Sequence, residues 1–496
     1  MRPPFPIPTV KKSIIVFSLM FLLFLILVLP YYVWSYDAPV GWDTAWYIYN
    51  MRLIAERGFP SFFERYNEIN LYIIFEYFIS PVFHASFALT EKLLPIILAT
   101  FFPLVNFQIV KKFGKSWRLS LLAMVFSIVD FNVVRMVADL HRNLFCFLLA
   151  ETALFLFIPD FLERASKKKF GILVTLLVVA GLSQMETFAL VMLTLSFLLV
   201  FHLWQRSFHR AKLLLLCIIV PCLLVVSFES PFLLKHLSEH VLFNPTWEFS
   251  YEDFATKPVD YALSLGHVLI PLYVVGLFSC ISTYMKNRKE LFLLIPLWNI
   301  VLIAGSFLPW LTIKIPGKRF LVLATVPPLA TIGFAKFSAK KSLTSKKTIV
   351  FITLIALASV VQFFNLSWTY TPWIPGGDYE RLTWISDHKQ NKSCVFVFYF
   401  DAGRLTYPVA ENYRFWVWAV TGTTTNVYFG EVNYLLDSLP TPSENQYMNK
   451  TSYDFWKEME NLRLNESLIY LIKDRYEASL DPDWKLVYTG LYLVEA

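Results

Sequence analysis

The chain has 496 residues, 56% of them hydrophobic and only 16% charged, a balance that excludes an ordinary soluble protein. Its formal charge of +7 divides unevenly: residues 367–496 hold 11 basic and 17 acidic side chains, a net of −6, which leaves 33 and 20 in residues 1–366, a net of +13. The basic excess is spread over short loops between apolar runs, so it is not a nucleic-acid footprint.

In chain order, apolar runs of about 17 to 25 residues, the length that crosses a hydrocarbon core, recur through the first three quarters. The first, Ile14 to Tyr32, is followed by no small-residue cleavage site and is expected to remain as an anchor. Basic clusters recur at Lys11-Lys12, KKFGKSWR (111–118), ERASKKK (163–169), WQRSFHRAK (204–212), YMKNRKE (284–290) and KFSAKKSLTSKK (336–347). Placing each in the cytoplasm obeys the positive-inside rule at every second loop. Eleven spans follow, near 14–33, 91–110, 118–136, 143–159, 170–186, 188–203, 212–229, 262–284, 291–308, 319–336 and 348–366, with the N-terminus inside and the tail outside. The run LYIIFEYFISPVFHAS (71–86) carries Glu76, Pro81 and His84 and is read as an interfacial helix of the first outer loop; counted as a span, it would invert everything downstream. Four sequons at Asn365, Asn391, Asn449 and Asn465 agree with an external tail. The expected fold is therefore an α-helical polytopic membrane domain, 1–366, with a large outer loop at 34–90, followed by an extracytoplasmic α/β domain, 367–496. In that tail DYERLTWISDHK and YDFWKEMENLRL read as helices, and CVFVFYF (394–400), SLIYLIKD (467–474) and WKLVYTGLYLVEA (484–496) as strands. Cys146, Cys217, Cys222 and Cys280 lie in apolar runs as small hydrophobes, and Cys394 has no disulfide partner within the tail.

The stretch PVGWDTAWYIYNMRLIAERGFP (39–60) sets Asp43 between tryptophans directly after the first span. One reading is structural: Asp43 caps a helix 44–57, with Trp42 and Tyr47 as a hydrophobic staple and Gly58 and Pro60 closing it. The other is chemical, with a carboxylate at the membrane surface and Trp42, Trp46 and Tyr47 able to stack on a sugar face. Outer span ends supply further polar groups. DLHRN (139–143) offers Asp139, His141 and Arg142, of which only Asp139 is needed to cap the fourth span. Lys318 and Arg319, in GKRF near Lys314, sit at headgroup depth, where interfacial snorkelling is the plain alternative. Glu186 reads as an outer-turn residue, Glu252-Asp253 as loop solvation, and His84 as a satisfied polar group.

A first span, then an outer loop opening on an acid and a helix ending in Gly-Phe-Pro, resembles the GT-C superfamily of polytopic glycosyltransferases that use lipid-phosphate-linked sugars. Protein mannosyltransferases, aminoarabinose transferases and oligosaccharyltransferase catalytic subunits belong to it. Segment 71–86, the DLHRN and GKRF turns and the C-terminal outer domain agree in position. The resemblance implies that Asp43 is the catalytic carboxylate, with Asp37 as runner-up. The WWDYG motif of the oligosaccharyltransferases is missing, which argues against transfer to peptide asparagine. Asp139-Leu140-His141 stands where those enzymes carry a metal-binding acidic pair, which leaves room for a divalent metal. No cofactor is otherwise implied.

Such chemistry suits these residue types. A base must take the proton of an acceptor hydroxyl as it attacks C1, and cations must meet the departing phosphate. An anion nearby stabilises an oxocarbenium-like sugar. The expected function is inverting transfer from a polyprenyl- or dolichyl-phosphate sugar to a hydroxyl of a glycan, lipid or protein at the outer face of the cell membrane. Asp43 would be the base, and Arg142, His141, Asp139, Arg319, Lys318 and Tyr47 would bind substrate. The rival readings are a polytopic transporter, which should show repeated halves and broken helices at the bilayer midplane, and a non-catalytic glycolipid-binding protein.

Overall fold

The computed structural model describes residues 9–33, 38–41, 43–66, 69–113, 116–239, 269–306, 321–340, 357, 376–388, 393–399, 415–422, 426–431, 468–473, 485–488 and 491–495. Up to residue 340 the regular elements described are all helical, as the bilayer requires of a chain that must satisfy its own backbone. They are α1 (Thr9–Val33), α2 (Thr44–Tyr66), α3 (Leu71–Ile79), α4 (Phe87–Ala99), α5 (Phe101–Lys112), α6 (Trp117–Ile128), α7 (Phe131–Asp139), α8 (His141–Glu151), α9 (Ile158–Glu163), α10 (Lys167–Ser183), α11 (Met185–Trp204), α12 (Phe208–Glu239), α13 (Ile270–Asn287), α14 (Leu291–Ser306) and α15 (Val326–Lys340).

Among the described residues, Lys12–Leu29, Phe87–Lys112, His141–Glu163, Met185–Trp204 and Phe208–Ser230 are long and apolar enough to cross a membrane. Trp117–Ile128 and Asn132–Ala138 make a sixth if that bent pair is one span. Helices α10, α13, α14 and α15 stand where four more spans were expected, and 348–366 lies outside the described residues apart from residue 357. The expected continuous span 118–136 is corrected: it bends by 45° at Asp130. There the short carboxylate accepts the N–H of Asn132 at 3.1 Å and starts a new helix instead of continuing the old one. Segment 71–86 forms α3 and a 3-10 turn, Ser80–Phe83. These 13 residues span about 20 Å, short of a hydrocarbon core of about 30 Å. His84, expected as a satisfied polar group, is exposed and left-handed at φ 55°.

The chain divides into two compact units, each described by itself. The first comprises residues 1–34, 65–75 and 92–370. Its tightest helix contact joins α13 to α15. A Cβ added to Gly276 would lie 1.9 Å from the Leu329 carbonyl oxygen, and one on Gly333 1.9 Å from that of Leu272. Small residues thus let two backbones touch, the usual basis of helix association in lipid. The end of α11 and the start of α12 are tied to the α13–α14 loop by buried Glu290, which takes hydrogen bonds from His202 at 2.9 Å and Arg210 at 2.5 Å.

The second unit comprises residues 35–64, 76–91 and 371–496, so most of the loop after α1 groups with the C-terminal region. The unit contains α16 (Gly376–His388), α17 (415–421) and five strands, β1 (Ser393–Tyr399), β2 (Asn426–Glu431), β3 (Leu468–Lys473), β4 (Lys485–Tyr488) and β5 (Leu491–Glu495). The sheet order is β2-β1-β3-β5-β4, parallel about β1 and antiparallel from β3 onward. The strand read over 484–496 is in fact two strands, β4 and β5, paired with each other. Neither β2 nor α17 was expected from the sequence, and YDFWKEMENLRL lies outside the described residues. Helix α2 is held to α17 by an Arg52 hydrogen bond to the Val420 carbonyl at 2.9 Å and by Tyr49, whose ring lies 5.4 Å from Phe415 and 5.2 Å from Trp418.

Candidate functional site

In the second unit the chain enters α2 through Gly41 at φ 120°, a conformation that favours glycine. Thr44 donates its hydroxyl to the Gly41 carbonyl at 3.0 Å, and the Asp43 carbonyl accepts the N–H groups of Trp46 at 3.0 Å and Tyr47 at 3.2 Å. Asp43 therefore stands directly at the helix start, half-buried, where the free N–H groups of the first turn favour a negative charge. Tyr47 is only 2% exposed and sits edge-on against half-buried Trp46, with ring centres 5.2 Å apart. The helix breaks at Gly58, whose φ of 79° and ψ of 171° are non-helical, and resumes to Tyr66; the stop read at 58–60 is thus a kink. Asp37 and Trp42 lie outside the described residues.

Sequence reading passed over Glu91 as a site residue and took Glu76 only as a charge that spoils a span. The two carboxyls are buried, at 0% and 1% exposure, and interact with one another; Glu91 also feels the charge of Asp43. The available signal was an acid inside an apolar run, which is costly in a membrane unless it serves a purpose. Arg52, one turn and a half beyond Tyr47, is pulled below its usual pKa by burial, with Glu56 and Tyr379 acting to hold it up.

In the first unit, α7 ends on Asp139 and α8 begins at His141. The residue at the start of α8 is Leu140, whose carbonyl accepts Leu144 N–H at 2.8 Å, and no side chain caps it. Asp139 is therefore the last residue of one helix and not the cap of the next, which corrects the structural reading of DLHRN. His141 is 1% exposed and donates Nε2–H to the Val137 carbonyl at 2.5 Å, which fixes its tautomer. Half-buried Arg142 lies in the opening turn of α8, with its charge reaching Cys146 one turn on. Glu186 accepts a hydrogen bond from Gln184 at 3.2 Å. Lys314, Lys318, Arg319, Glu252 and Asp253 lie outside the described residues. Among the described residues no three His, Cys, Asp or Glu side chains are grouped to hold a metal ion.

No protein-family model matches the chain, and no curated protein matches it in sequence. Solved structures do. ArnT from Cupriavidus metallidurans in the apo state matches with a TM-score of 0.58 at 12% identity, over 98% of each chain. The same protein bound to undecaprenyl phosphate matches at 0.57 and 11%, again over 98% of each chain. The oligosaccharyltransferase of Archaeoglobus fulgidus, in complex with zinc and sulfate, matches at 0.56 and 12%, over 92% of this chain and 68% of that one. Identities this low carry the fold and nothing finer, and on that ground the chain has the fold of the GT-C glycosyltransferases.

Proposed function

We propose that the chain is an inverting glycosyltransferase that moves a sugar from a polyprenyl- or dolichyl-phosphate donor to an acceptor hydroxyl on the outer face of a membrane. The carrying observation is the seat of Asp43: half-buried at the start of α2 and electrostatically joined to a buried carboxyl pair. There it takes the acceptor's proton as the oxygen attacks C1; the C1–phosphate bond breaks on the opposite side, and the lipid phosphate leaves with the bonding electrons. Arg142 meets that phosphate, with Lys318 and Arg319 as further cations, while His141 and Asp139 border the donor. The neighbour solved with undecaprenyl phosphate supports a lipid-phosphate donor.

On this reading the tail is a small α/β domain outside the membrane together with the first loop, with eleven spans of which ten lie between those two segments. The grouping of residues 35–64 and 371–496 in one compact unit supports it, since an even number of spans keeps both segments on one side.

The test is transfer from a panel of radiolabelled polyprenyl-phosphate sugars by the purified chain. Asp43→Asn keeps the capping ability of the residue. It should still bind donor yet transfer at least about a hundredfold more slowly, the lower range of what a general base contributes. Transfer by Asp43→Asn at the wild-type rate would reduce Asp43 to a helix cap.

A further inference from the structure

We infer that the α11–α12 and α13–α14 turns of the first unit, with the helix ends that flank them, form one binding surface for anionic phospholipid headgroups. The surface is independent of Asp43 and of the proposed transfer. Two candidate spans, Met185–Trp204 and Phe208–Ser230, are joined by residues 205–207 alone, so this turn lies at the edge of the hydrocarbon layer, at headgroup depth. Buried Glu290 fixes the second turn beside it, through hydrogen bonds from His202 at 2.9 Å and from Arg210 at 2.5 Å. The rings of Phe201 and Tyr284, with centres 5.8 Å apart, make a further contact between the two. The sequence puts basic residues in each turn; the structure makes the turns neighbours.

The charge of that surface is one-sided. Arg206 and Lys212 are exposed about the first turn, and Lys286, Arg288 and Lys289 about the second. Across residues 201–212 and 281–290 the one acid is Glu290, which is buried and already shared between His202 and Arg210. None of the five exposed cations closes an ion pair among the described residues. Trp204, Phe208 and Met285, at 80%, 68% and 62% exposure, flank them along the chain. Aromatic and apolar side chains left open beside cations at a span end fit a phospholipid, which offers glycerol and acyl groups next to its phosphate. A free phosphate would cover the cations and leave those side chains bare.

Backbone conformation supports the assignment. Arg206 at φ 56° and Arg288 at φ 51° are left-handed, a conformation that glycine takes without strain and that helix ends commonly give to glycine. Both positions close a helix: Ser207 N–H reaches the His202 carbonyl at 2.9 Å, and Arg288 N–H the Tyr284 carbonyl at 2.8 Å. Each turn therefore holds a strained residue where glycine would fold more easily, and in each that residue is an arginine. The Arg288 guanidinium stands 5.7 Å from the centre of the Tyr284 ring. A planar guanidinium with its fork of N–H donors binds phosphate oxygens in pairs, which suits the residue type to an anionic headgroup.

The experiment titrates the purified full chain, in neutral detergent, with phosphatidylglycerol or phosphatidylcholine and reads the affinity of the first bound lipid by native mass spectrometry. The wild type should bind phosphatidylglycerol more tightly. Arg206→Gly combined with Arg288→Gly removes two cations and relieves both strained positions. It should weaken phosphatidylglycerol binding by about tenfold or more, since one Lys or Arg near an anionic surface is worth about fivefold. Thermal stability in detergent should hold or rise in the same variant, which a merely structural role for the arginines would not allow. Lys167→Gln combined with Lys168→Gln removes two exposed cations at the start of α10 and should leave the affinity unchanged, as should Asp43→Asn, which separates this surface from the proposed catalytic site. The inference fails if both lipids bind alike, or if the lysine pair weakens binding as much as the arginine pair, which would reduce the effect to general surface charge. It fails equally if inorganic phosphate displaces phosphatidylglycerol, which would make this a site for a soluble anion.

Discussion

Adding one methyl group at Gly276 tests the packing of the transmembrane unit. The Cβ of Gly276→Ala would fall 1.9 Å from the Leu329 carbonyl oxygen, 2.6 Å from its carbon and 3.1 Å from its Cα. All three are backbone atoms, so no rotamer change relieves the clash, and α13 and α15 must separate by more than 1 Å to reach ordinary contact near 3.4 Å. Overpacking of this kind costs about 1 to 3 kcal/mol, and here the upper figure applies because the neighbour is rigid. A gap of about 0.5 to 1 Å opened along the rest of the interface also forfeits a quarter to a half of each contact. Against this, alanine gains about 1 kcal/mol over glycine in a helix. The net expectation is a loss of about 2 kcal/mol or more. At Gly171 in α10 nothing lies within 4 Å of an added Cβ, so Gly171→Ala keeps only the favourable term, about 0.5 to 1 kcal/mol. Detergent-denaturation midpoints of the two variants should therefore move in opposite directions. A Gly276→Ala chain as stable as the wild type would refute the close contact.

Gly58→Ala forces a side chain into φ 79°, ψ 171° at the kink of α2, a region essentially confined to glycine, and should cost about 1 to 3 kcal/mol of stability, seen in the same denaturation curves. Arg142→Ala should weaken use of the lipid-phosphate donor by about 2 to 5 kcal/mol in single-turnover transfer, while Lys167→Ala, on a basic loop, should change nothing; equal effects would make Arg142 a snorkelling residue. In a chain stripped of its native cysteines, an impermeant thiol reagent should label Ser438→Cys from outside intact cells and spare Ser342→Cys. The reverse pattern would overturn the orientation.

Much of the membrane architecture was legible because it depends on one-dimensional information. A bilayer rewards runs of apolar residues and penalises charges between them. The positions of α1, α4–α5, α8–α9, α11 and α12 therefore followed from hydropathy and basic loops alone. The interruption of α2 was equally local: Gly58 is a residue whose backbone can take φ 79°, and Pro60 follows it. The bend at Asp130 was not anticipated, because an apolar average over 118–136 hides one carboxylate that caps a helix in mid-span.

The site is another matter. Asp43 stood out by its place after the first span, but its association with Glu76 and Glu91 joins three segments that no periodicity links. Arg52 meets Val420, 368 residues later. Sequence determines each residue's local conformation and whether it prefers lipid or water. Which buried carboxyls face one another depends on how helices of similar apolar surface pack. That is set by shape at positions such as Gly276 and Gly333, where two backbones touch, and so only the tertiary structure decides it.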